Sequence, residues 1–131
     1  MKLRHCDAHG CGYFGAPRGG RNHNGVDILA AFGDCVRSPV DGVVTKVGYP
    51  YADDLSFRYV QISAGGYDFR LFYCEPTLSL GAVVKRGDAI GTAQDLGKRY
   101  AGIANHFHLE IKNPDGNFVD PTPVALAMGA S

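Results

Sequence analysis

Short runs of β-branched, aromatic and other apolar residues follow one another along most of this chain, with polar positions alternating inside them and glycine or proline between them. Such runs predict short strands rather than helices. Strands are expected at residues 26–30, 35–38, 42–49, 57–64, 67–73, 82–85, 89–93 and 106–112. Gly65-Gly66 lies between two runs as a two-residue hairpin turn would, and Pro114-Asp115-Gly116 predicts another turn. The pattern indicates an all-β, mainly antiparallel fold.

The same pattern shows no domain boundary, because the 18 glycines and 7 prolines are spread along the chain rather than collected in one linker. A length of 131 residues suits a single domain, here residues 1–131, with one core. We expect residues 1–22, rich in glycine and arginine, to form an irregular arm, and residues 23–121 to form the core of a β-sandwich. Helix is expected only at residues 123–128, where a proline suits the first turn.

Composition mainly excludes some classes of protein, such as nucleic-acid-binding and membrane-spanning proteins. The 13 basic and 13 acidic residues balance, so no basic surface for nucleic acid is predicted. No run of 18 apolar residues exists, so no membrane insertion is expected. Met1-Lys2-Leu3-Arg4 leads directly into His5-Cys6 without an apolar stretch, and we therefore expect no secretory signal in the chain as given.

Histidines provide the candidate chemistry. In the predicted strand His106-Phe107-His108-Leu109-Glu110-Ile111-Lys112, alternation turns His106, His108 and Glu110 to one face and the apolar residues to a core. About eighty residues earlier, the block His23-Asn24-Gly25-Val26-Asp27 precedes another strand. A catalytic zinc ion typically takes three protein ligands and leaves a fourth position open. His23, Asp27 and one histidine of the later pair could supply such a set.

These blocks, in this order, resemble the lysostaphin-type zinc endopeptidases. The resemblance is carried by His23 to Asp27, Ser38 to Val44, Val84 to Gly91 and His106 to Glu110. It implies a duplicated hybrid motif fold and one zinc ion per chain, with His23, Asp27 and His108 as ligands and His106 as a catalytic histidine. It also implies hydrolysis of bacterial peptidoglycan, at stem peptides or cross-bridges, by zinc-activated water in an extracytoplasmic setting.

A closer local resemblance is to the leukocyte cell-derived chemotaxins, through Cys6 to Gly12, His23 to Asp27 and Leu71 to Tyr73. Active peptidases of the type carry a second histidine in a Tyr-x-His-Leu segment, and the corresponding stretch here puts Cys74 at or near that position. The chemotaxins share the absence, which implies a binding protein that keeps its zinc. The alternative function is therefore a zinc-binding recognition module without turnover.

Several further residues are expected to lie around the metal site. Tyr73 or Cys74 could replace the missing histidine as an oxyanion donor, and Asn105 and Glu110 could orient the imidazoles.

Alternation in the run 67–73 places its side chains on two opposite faces. One face holds Tyr67, Phe69, Leu71 and Tyr73, and the other holds Asp68, Arg70, Phe72 and Cys74. Loops 13–22, 49–56 and 94–104 are candidate walls of a groove.

The four cysteines leave two interpretations of the arm. Cys6 and Cys11 close a short loop that resembles a disulfide of the chemotaxins, as expected in an oxidising compartment. The rival is a structural zinc bound by His5, Cys6, His9 and Cys11, which crowds all its ligands into seven residues. We expect His5 and His9 to be loop residues, and Cys35 and Cys74 to be small buried hydrophobic residues.

Two other classes of protein share single motifs with this chain. Ser38-Pro39-Val40-Asp41-Gly42 also resembles a segment of the sugar phosphotransferase carriers, but those proteins have no metal-ligating aspartate such as Asp27. Residues 84–88 resemble lipoyl or biotinyl carriers, which need a lysine at a hairpin tip, and Gly65-Gly66 provides none. The sequence therefore favours a monomeric zinc endopeptidase with peptidoglycan as its partner.

Overall fold

The computed structural model describes residues 1–131, in which strands far outnumber helices. The strands are β1 (Cys6–Asp7), β2 (Gly10–Cys11), β3 (Gly25–Leu29), β4 (Cys35–Arg37), β5 (Gly42–Gly48), β6 (Tyr59–Ala64), β7 (Tyr67–Phe72), β8 (Cys74–Pro76), β9 (Val83–Val84), β10 (Ala89–Ala93), β11 (His106–Lys112) and β12 (Phe118–Val119). A 3₁₀ turn covers Leu96–Lys98, and helix α1 covers Thr122–Ala127. All eight predicted strands are present, each within two residues of the predicted bounds.

Two antiparallel sheets carry most of these strands. The larger has seven, in the order β12-β11-β7-β6-β5-β9, with β3 as a further partner of β11. β3 pairs with the first part of β11, from His106 to Glu110, and β12 pairs with its end. The smaller sheet has the order β4-β10-β8. The predicted hairpin is confirmed, because Ala64 pairs with Tyr67 across Gly65-Gly66, whose φ angles of 58° and 84° suit glycine.

The hydrophobic core lies between the two sheets, which confirms the predicted sandwich. Its 17 residues include Val36 and Ile90 from the smaller sheet and Ile28 and Leu71 from the larger. Alternation along β11 is as predicted: Phe107, Leu109 and Ile111 are buried in this core, each at most 3% exposed. Burial of each such side chain stabilises the fold by about 1.5–3 kcal/mol. The opposite side of β11 is thereby left for the histidines.

The strand predicted at 67–73 ends one residue early, and this corrects the position of Cys74. Tyr73 has φ of 64°, so alternation stops there and Cys74 starts β8 in the smaller sheet. Cys74 consequently lies in the core beside Leu71, with no exposed surface. Tyr73 lies on the site side together with Phe72, not with Leu71 as predicted. Burial raises the pKa of the Cys74 thiol to about 12, so it is an inert core residue and not an oxyanion donor. Cys35, which was also expected to be buried, is exposed on β4 instead.

The N-terminal arm is more regular than predicted. β1 and β2 pair as a small hairpin, and the predicted disulfide between Cys6 and Cys11 is present. Because the two sulfurs are bonded to each other, the rival zinc site has no free thiolates. The arm also runs antiparallel to β3: Leu3 forms a bridge with Ile28, and the Arg4 amide donates to the Asp27 carbonyl at 2.8 Å.

The helical segments are few and short. α1 begins one residue before the predicted helix and has six residues, and the 3₁₀ turn has three. Neither is long enough to cross a bilayer, for which about 20 residues are needed.

Candidate metal centre

The sheet brings His23, Asp27 and His108 together. Asp27 on β3 and His108 on β11 are direct cross-strand partners. His23 reaches the same point because the chain between it and Asp27 passes close to β11 at Gly25. A Cβ at Gly25 would overlap the Leu109 carbonyl oxygen and lie 2.9 Å from the His108 ring. Only glycine allows this approach, which explains why a glycine stands between His23 and Asp27.

The donor atoms of the three side chains form a small triangle. His23 Nε2 lies 3.0 Å from His108 Nδ1, and His108 Nδ1 lies 2.8 Å from Asp27 Oδ1. The third edge, from His23 Nε2 to Asp27 Oδ1, is 3.2 Å. Three N or O donors held about 2.0–2.1 Å from one tetrahedral zinc ion lie roughly 3.3 Å apart. The triangle therefore has nearly the dimensions that such an ion requires.

The second nitrogen of each imidazole has its own acceptor. His23 Nδ1 donates to the Tyr13 carbonyl at 3.0 Å, and His108 Nε2 donates to Glu110 Oε1 at 3.0 Å. These bonds leave a nitrogen lone pair of each ring directed at the other ring and at the Asp27 carboxylate. Three electron-rich atoms that converge in this way can bind a cation, and such acceptors for the outer N–H are typical of metal-bound histidine. Glu110 thus lies where the sequence analysis placed it.

The charges of the group are consistent with cation binding. Burial alone would raise the pKa of Asp27, but hydrogen bonds with His108 and His23 hold it well below its usual range. Burial alone would lower the pKa of His108, but hydrogen bonds with Asp27 and Glu110 raise it to about 9. Without metal, a proton on His108 therefore compensates the aspartate near neutral pH. A metal ion would displace that proton on binding.

His106 lies beside this triangle with a different set of contacts. Its Nδ1 donates to the Ala104 carbonyl at 2.8 Å, which directs Nε2 toward the site, 3.4 Å from Asp27 Oδ2. Burial lowers the pKa of His106, against the opposing effect of Asp27. The ring is therefore neutral at physiological pH and has a free lone pair at Nε2. A group in this state can accept a proton.

A cavity of about 400 Å³ opens above these residues. The Tyr51 hydroxyl lies 3.1 Å from the Tyr73 hydroxyl and 2.8 Å from the Tyr100 hydroxyl. The Tyr73 ring meets His106 edge-on at 5.7 Å, and burial raises the pKa of Tyr73 to about 12. Its hydroxyl therefore keeps its proton and is a hydrogen-bond donor. All three candidate loops contribute to the walls, with Arg18 and Arg21 from the first, Tyr51 from the second and Tyr100 from the third.

One expectation about the residues around the site needs correction. Asn105 does not bond to an imidazole: its side chain accepts from the Leu96 amide and donates to the carbonyls of Ala30 and Gln94. It ties the start of the 94–104 loop to Ala30, because one side chain bonds to backbone groups of both segments. His9 lies in the turn between β1 and β2, as expected of a loop residue, and its ring also lines the cavity, where it meets Tyr100 at 5.7 Å.

Sequence reasoning missed Arg4, which lies directly behind the triangle. Its guanidinium is buried, and Nη1 donates to Asp27 Oδ2 at 2.8 Å. The two residues are 23 positions apart and belong to no shared motif. No local signal in the sequence could have linked them.

Comparison with known proteins agrees with this geometry. Residues 21–121 match peptidase family M23. Leukocyte cell-derived chemotaxin-2 from Bos taurus is 37% identical over 110 residues, covering 83% of this chain and 72% of that protein. The Mus musculus protein of the same name is 35% identical over 122 residues, covering 92% and 78%.

Solved structures show the same fold. The peptidase lysostaphin from Staphylococcus simulans superposes with a TM-score of 0.72 at 22% identity, over 90% of this chain and 49% of its own. A zinc containing peptidase from Vibrio cholerae gives a TM-score of 0.67 at 27% identity, over 91% and 39%. This chain thus spans about half the length of lysostaphin and about two fifths of the length of the Vibrio cholerae peptidase. From the matched residues and the relatives above 30% identity, the chain belongs to peptidase family M23.

Proposed function

We propose that this chain is a zinc-dependent endopeptidase that hydrolyses peptide bonds of bacterial peptidoglycan. The observation that carries the proposal is the donor triangle of His23, Asp27 and His108, with edges of 2.8–3.2 Å, at the base of an open cavity beside His106 Nε2. Membership in family M23 supports peptidase chemistry. The peptidoglycan substrate is supported by the resemblance to lysostaphin, which has the same fold.

The proposed zinc ligands are His23 Nε2, Asp27 Oδ1 and His108 Nδ1. Zinc would polarise the scissile carbonyl and favour ionisation of water at neutral pH. Glu110 and the Tyr13 carbonyl hold the two imidazole rings by their outer N–H groups. These contacts keep both rings in the orientation that metal binding needs.

His106 is the proposed catalytic base. Its Nδ1–H is fixed on the Ala104 carbonyl, so Nε2 is the atom that accepts a proton from the attacking water. The same nitrogen can then deliver that proton to the leaving amine. Asp27 Oδ2, 3.4 Å away, stabilises the ring while it carries the proton.

The Tyr73 hydroxyl is the proposed oxyanion donor. It lies on the cavity wall beside His106, and its raised pKa keeps it protonated. Tyr51 hydrogen-bonds to it and orients the hydroxyl. Loss of one oxyanion donor typically costs a hundredfold to a thousandfold in rate. A tyrosine in place of a histidine is therefore compatible with a slow enzyme.

The remaining assignments follow from this activity. We propose a monomer that works outside the cytoplasm, with residues 23–121 as the catalytic core, residues 1–22 as the arm and no nucleic-acid partner. The disulfide between Cys6 and Cys11 supports an oxidising compartment.

A second candidate function is a zinc-binding recognition module without turnover. It is favoured by the end of β7 and the residue that follows it, where the side chains that line the cavity are Phe72 and Tyr73, neither of them a histidine. The chemotaxin relatives at 35–37% identity favour it as well. Both candidate functions share the metal centre and differ only in catalysis.

The experiment that separates them is release of soluble peptides from purified peptidoglycan by the zinc-loaded protein. The test variant is His106→Ala, and the control is His5→Ala, which removes an exposed imidazole of the arm. Release by wild type and control but not by His106→Ala would support the endopeptidase. One tightly bound zinc ion per chain with intact peptidoglycan would instead support the recognition module.

A further inference from the structure

The arm supplies a buried cation to the back of the metal centre. Arg4 is 4% exposed, and its Nη1 donates to Asp27 Oδ2, the carboxylate oxygen outside the donor triangle, at 2.8 Å. Asp27 Oδ1 is the oxygen that meets His23 and His108. The two oxygens thus have separate partners, and the arginine fixes the plane of the carboxylate. Arg4 lies outside residues 21–121, the part of the chain that matches the family.

A second carboxylate holds this arginine in place. Arg4 Nη2 donates to Asp7 Oδ1 at 2.7 Å and Arg4 Nε donates to Asp7 Oδ2 at 3.3 Å, which is the bidentate geometry of a guanidinium on a carboxylate. Nη2 also donates to the Gly10 carbonyl at 3.0 Å. The hydrogen bonds from Arg4 keep the pKa of Asp7 well below its usual range. Arg4 therefore stands between two ionised carboxylates.

Asp7 extends the network to the other side of the site. Its Oδ2 accepts from the Ala104 amide at 3.0 Å, and the Ala104 carbonyl accepts from His106 Nδ1 at 2.8 Å. One residue, Ala104, thus connects Asp7 to the proposed catalytic histidine through its amide and its carbonyl. Arg4 thus contacts Asp27 directly, and Asp7 contacts Ala104, the residue whose carbonyl holds the His106 ring.

A disulfide and close packing at a glycine keep the arm in this position. The disulfide between Cys6 and Cys11 closes the loop that carries Asp7 and the Gly10 carbonyl. Gly12 passes so close that a Cβ there would lie 2.7 Å from the Arg4 carbonyl oxygen and 3.1 Å from the Asp27 Cβ. The loop is thus closed on itself and packed directly against the ligand strand.

We propose that Arg4 and Asp7 are positioning residues of the metal centre, and that the Cys6–Cys11 disulfide maintains zinc affinity by holding them against Asp27 and Ala104. The inference rests on the proposed zinc site. It assigns to the arm, and not only to the family core, a share in metal binding.

The direction in which zinc affinity changes when Arg4 is removed distinguishes a positioning role from simple charge repulsion. A guanidinium close to a metal site repels the metal ion, so its removal would tighten zinc binding if charge alone mattered. If Arg4 orients Asp27, its removal weakens zinc binding instead. Loss of such an outer contact typically costs 10-fold to 100-fold in metal affinity.

The test measures zinc dissociation constants of the full chain by competition with a chromophoric chelator. The variants are Arg4→Met, Arg4→Lys, Asp7→Asn and the double change Cys6→Ser with Cys11→Ser. Arg37→Met, a matched change at an exposed arginine of β4, is the control. Circular dichroism confirms folding at the assay temperature, and the visible spectrum of the cobalt-substituted proteins reports the ligand geometry.

We expect 10-fold to 100-fold weaker zinc binding in Arg4→Met, partial recovery in Arg4→Lys, and weaker binding in Asp7→Asn and in the disulfide-free protein. The cobalt spectrum should change in Arg4→Met and not in Arg37→Met. If Arg4→Met does not fold, Asp7→Asn and the disulfide-free protein decide the question. Equal or tighter binding in the folded variants would overturn the inference and leave the proposed function intact. A wild type that binds no zinc would overturn both.

Discussion

Gly25 offers the sharpest test of how the backbone builds the metal centre. Replacing it with alanine adds one methyl group between β3 and β11, where it would overlap the Leu109 carbonyl and lie 2.9 Å from the His108 ring. Ordinary contacts of such atoms are about 3.4–4.0 Å, so the strands or the ring must move by roughly half an ångström or more. Overpacking of this kind costs about 1–3 kcal/mol of stability, occasionally more.

The displacement should also affect metal binding, because the donor triangle has edges of only 2.8–3.2 Å. We expect Gly25→Ala to lower zinc affinity at least tenfold. Urea denaturation with and without zinc measures both effects, since the zinc-dependent gain in stability shrinks as affinity falls. The control is Gly33→Ala at an exposed position with φ of 88° and no atom near the added group, where only backbone strain of about 1–2 kcal/mol is expected. A Gly25→Ala protein that binds zinc like the wild type would refute the role given to close strand approach.

Three further outcomes are expected. In the folded protein a thiol reagent should modify exposed Cys35 and spare buried Cys74. Denaturation without reductant should make both thiols reactive. Rapid modification of two thiols in the folded state would contradict the core position of Cys74. Tyr73→Phe should lower peptide release from peptidoglycan about 100-fold while zinc affinity stays unchanged, and unchanged release would exclude Tyr73 as the oxyanion donor. Because the pKa of His108 is raised to about 9, its contribution to the stability of the metal-free protein is complete below pH 6.5 and is lost as the pH rises through 9. Zinc must displace the same proton, so zinc affinity should rise with pH up to about 9, and titrations at pH 6, 7 and 8 with flat affinity would contradict the assignment.

The parts of the site on regular strands were predictable from the sequence. Alternation in β11 alone places His106, His108 and Glu110 on one face, since a two-residue period leaves no other choice once Phe107 and Leu109 are buried. The same argument failed at Tyr73, because a left-handed conformation at a residue other than glycine is uncommon and carries no signal in the sequence. The error then passed to Cys74, which follows it.

Residues joined only by tertiary structure escaped prediction for a different reason. Arg4 reads as one of several arginines in a glycine-rich arm, and only the path of the arm along β3 brings it to Asp27. Asn105 was placed near the site correctly, but its partners are backbone groups of two separate segments, at Ala30 and at Gln94 to Leu96. Side-chain type indicates what chemistry is available, whereas the partner depends on loops whose course has no periodicity.

The pairing of the arm with β3 has a consequence for solubility. β3 has the sequence Gly-Val-Asp-Ile-Leu, apolar except for Asp27, and without the arm its outer side would be an open strand edge. Open apolar edges are templates for pairing between chains and lead to aggregation. Backbone bonds from the Arg4 amide to Asp27 and from the Leu29 amide to the Lys2 carbonyl fill that edge within one molecule. A chain whose arm detaches would therefore present a self-complementary edge and associate with its own copies.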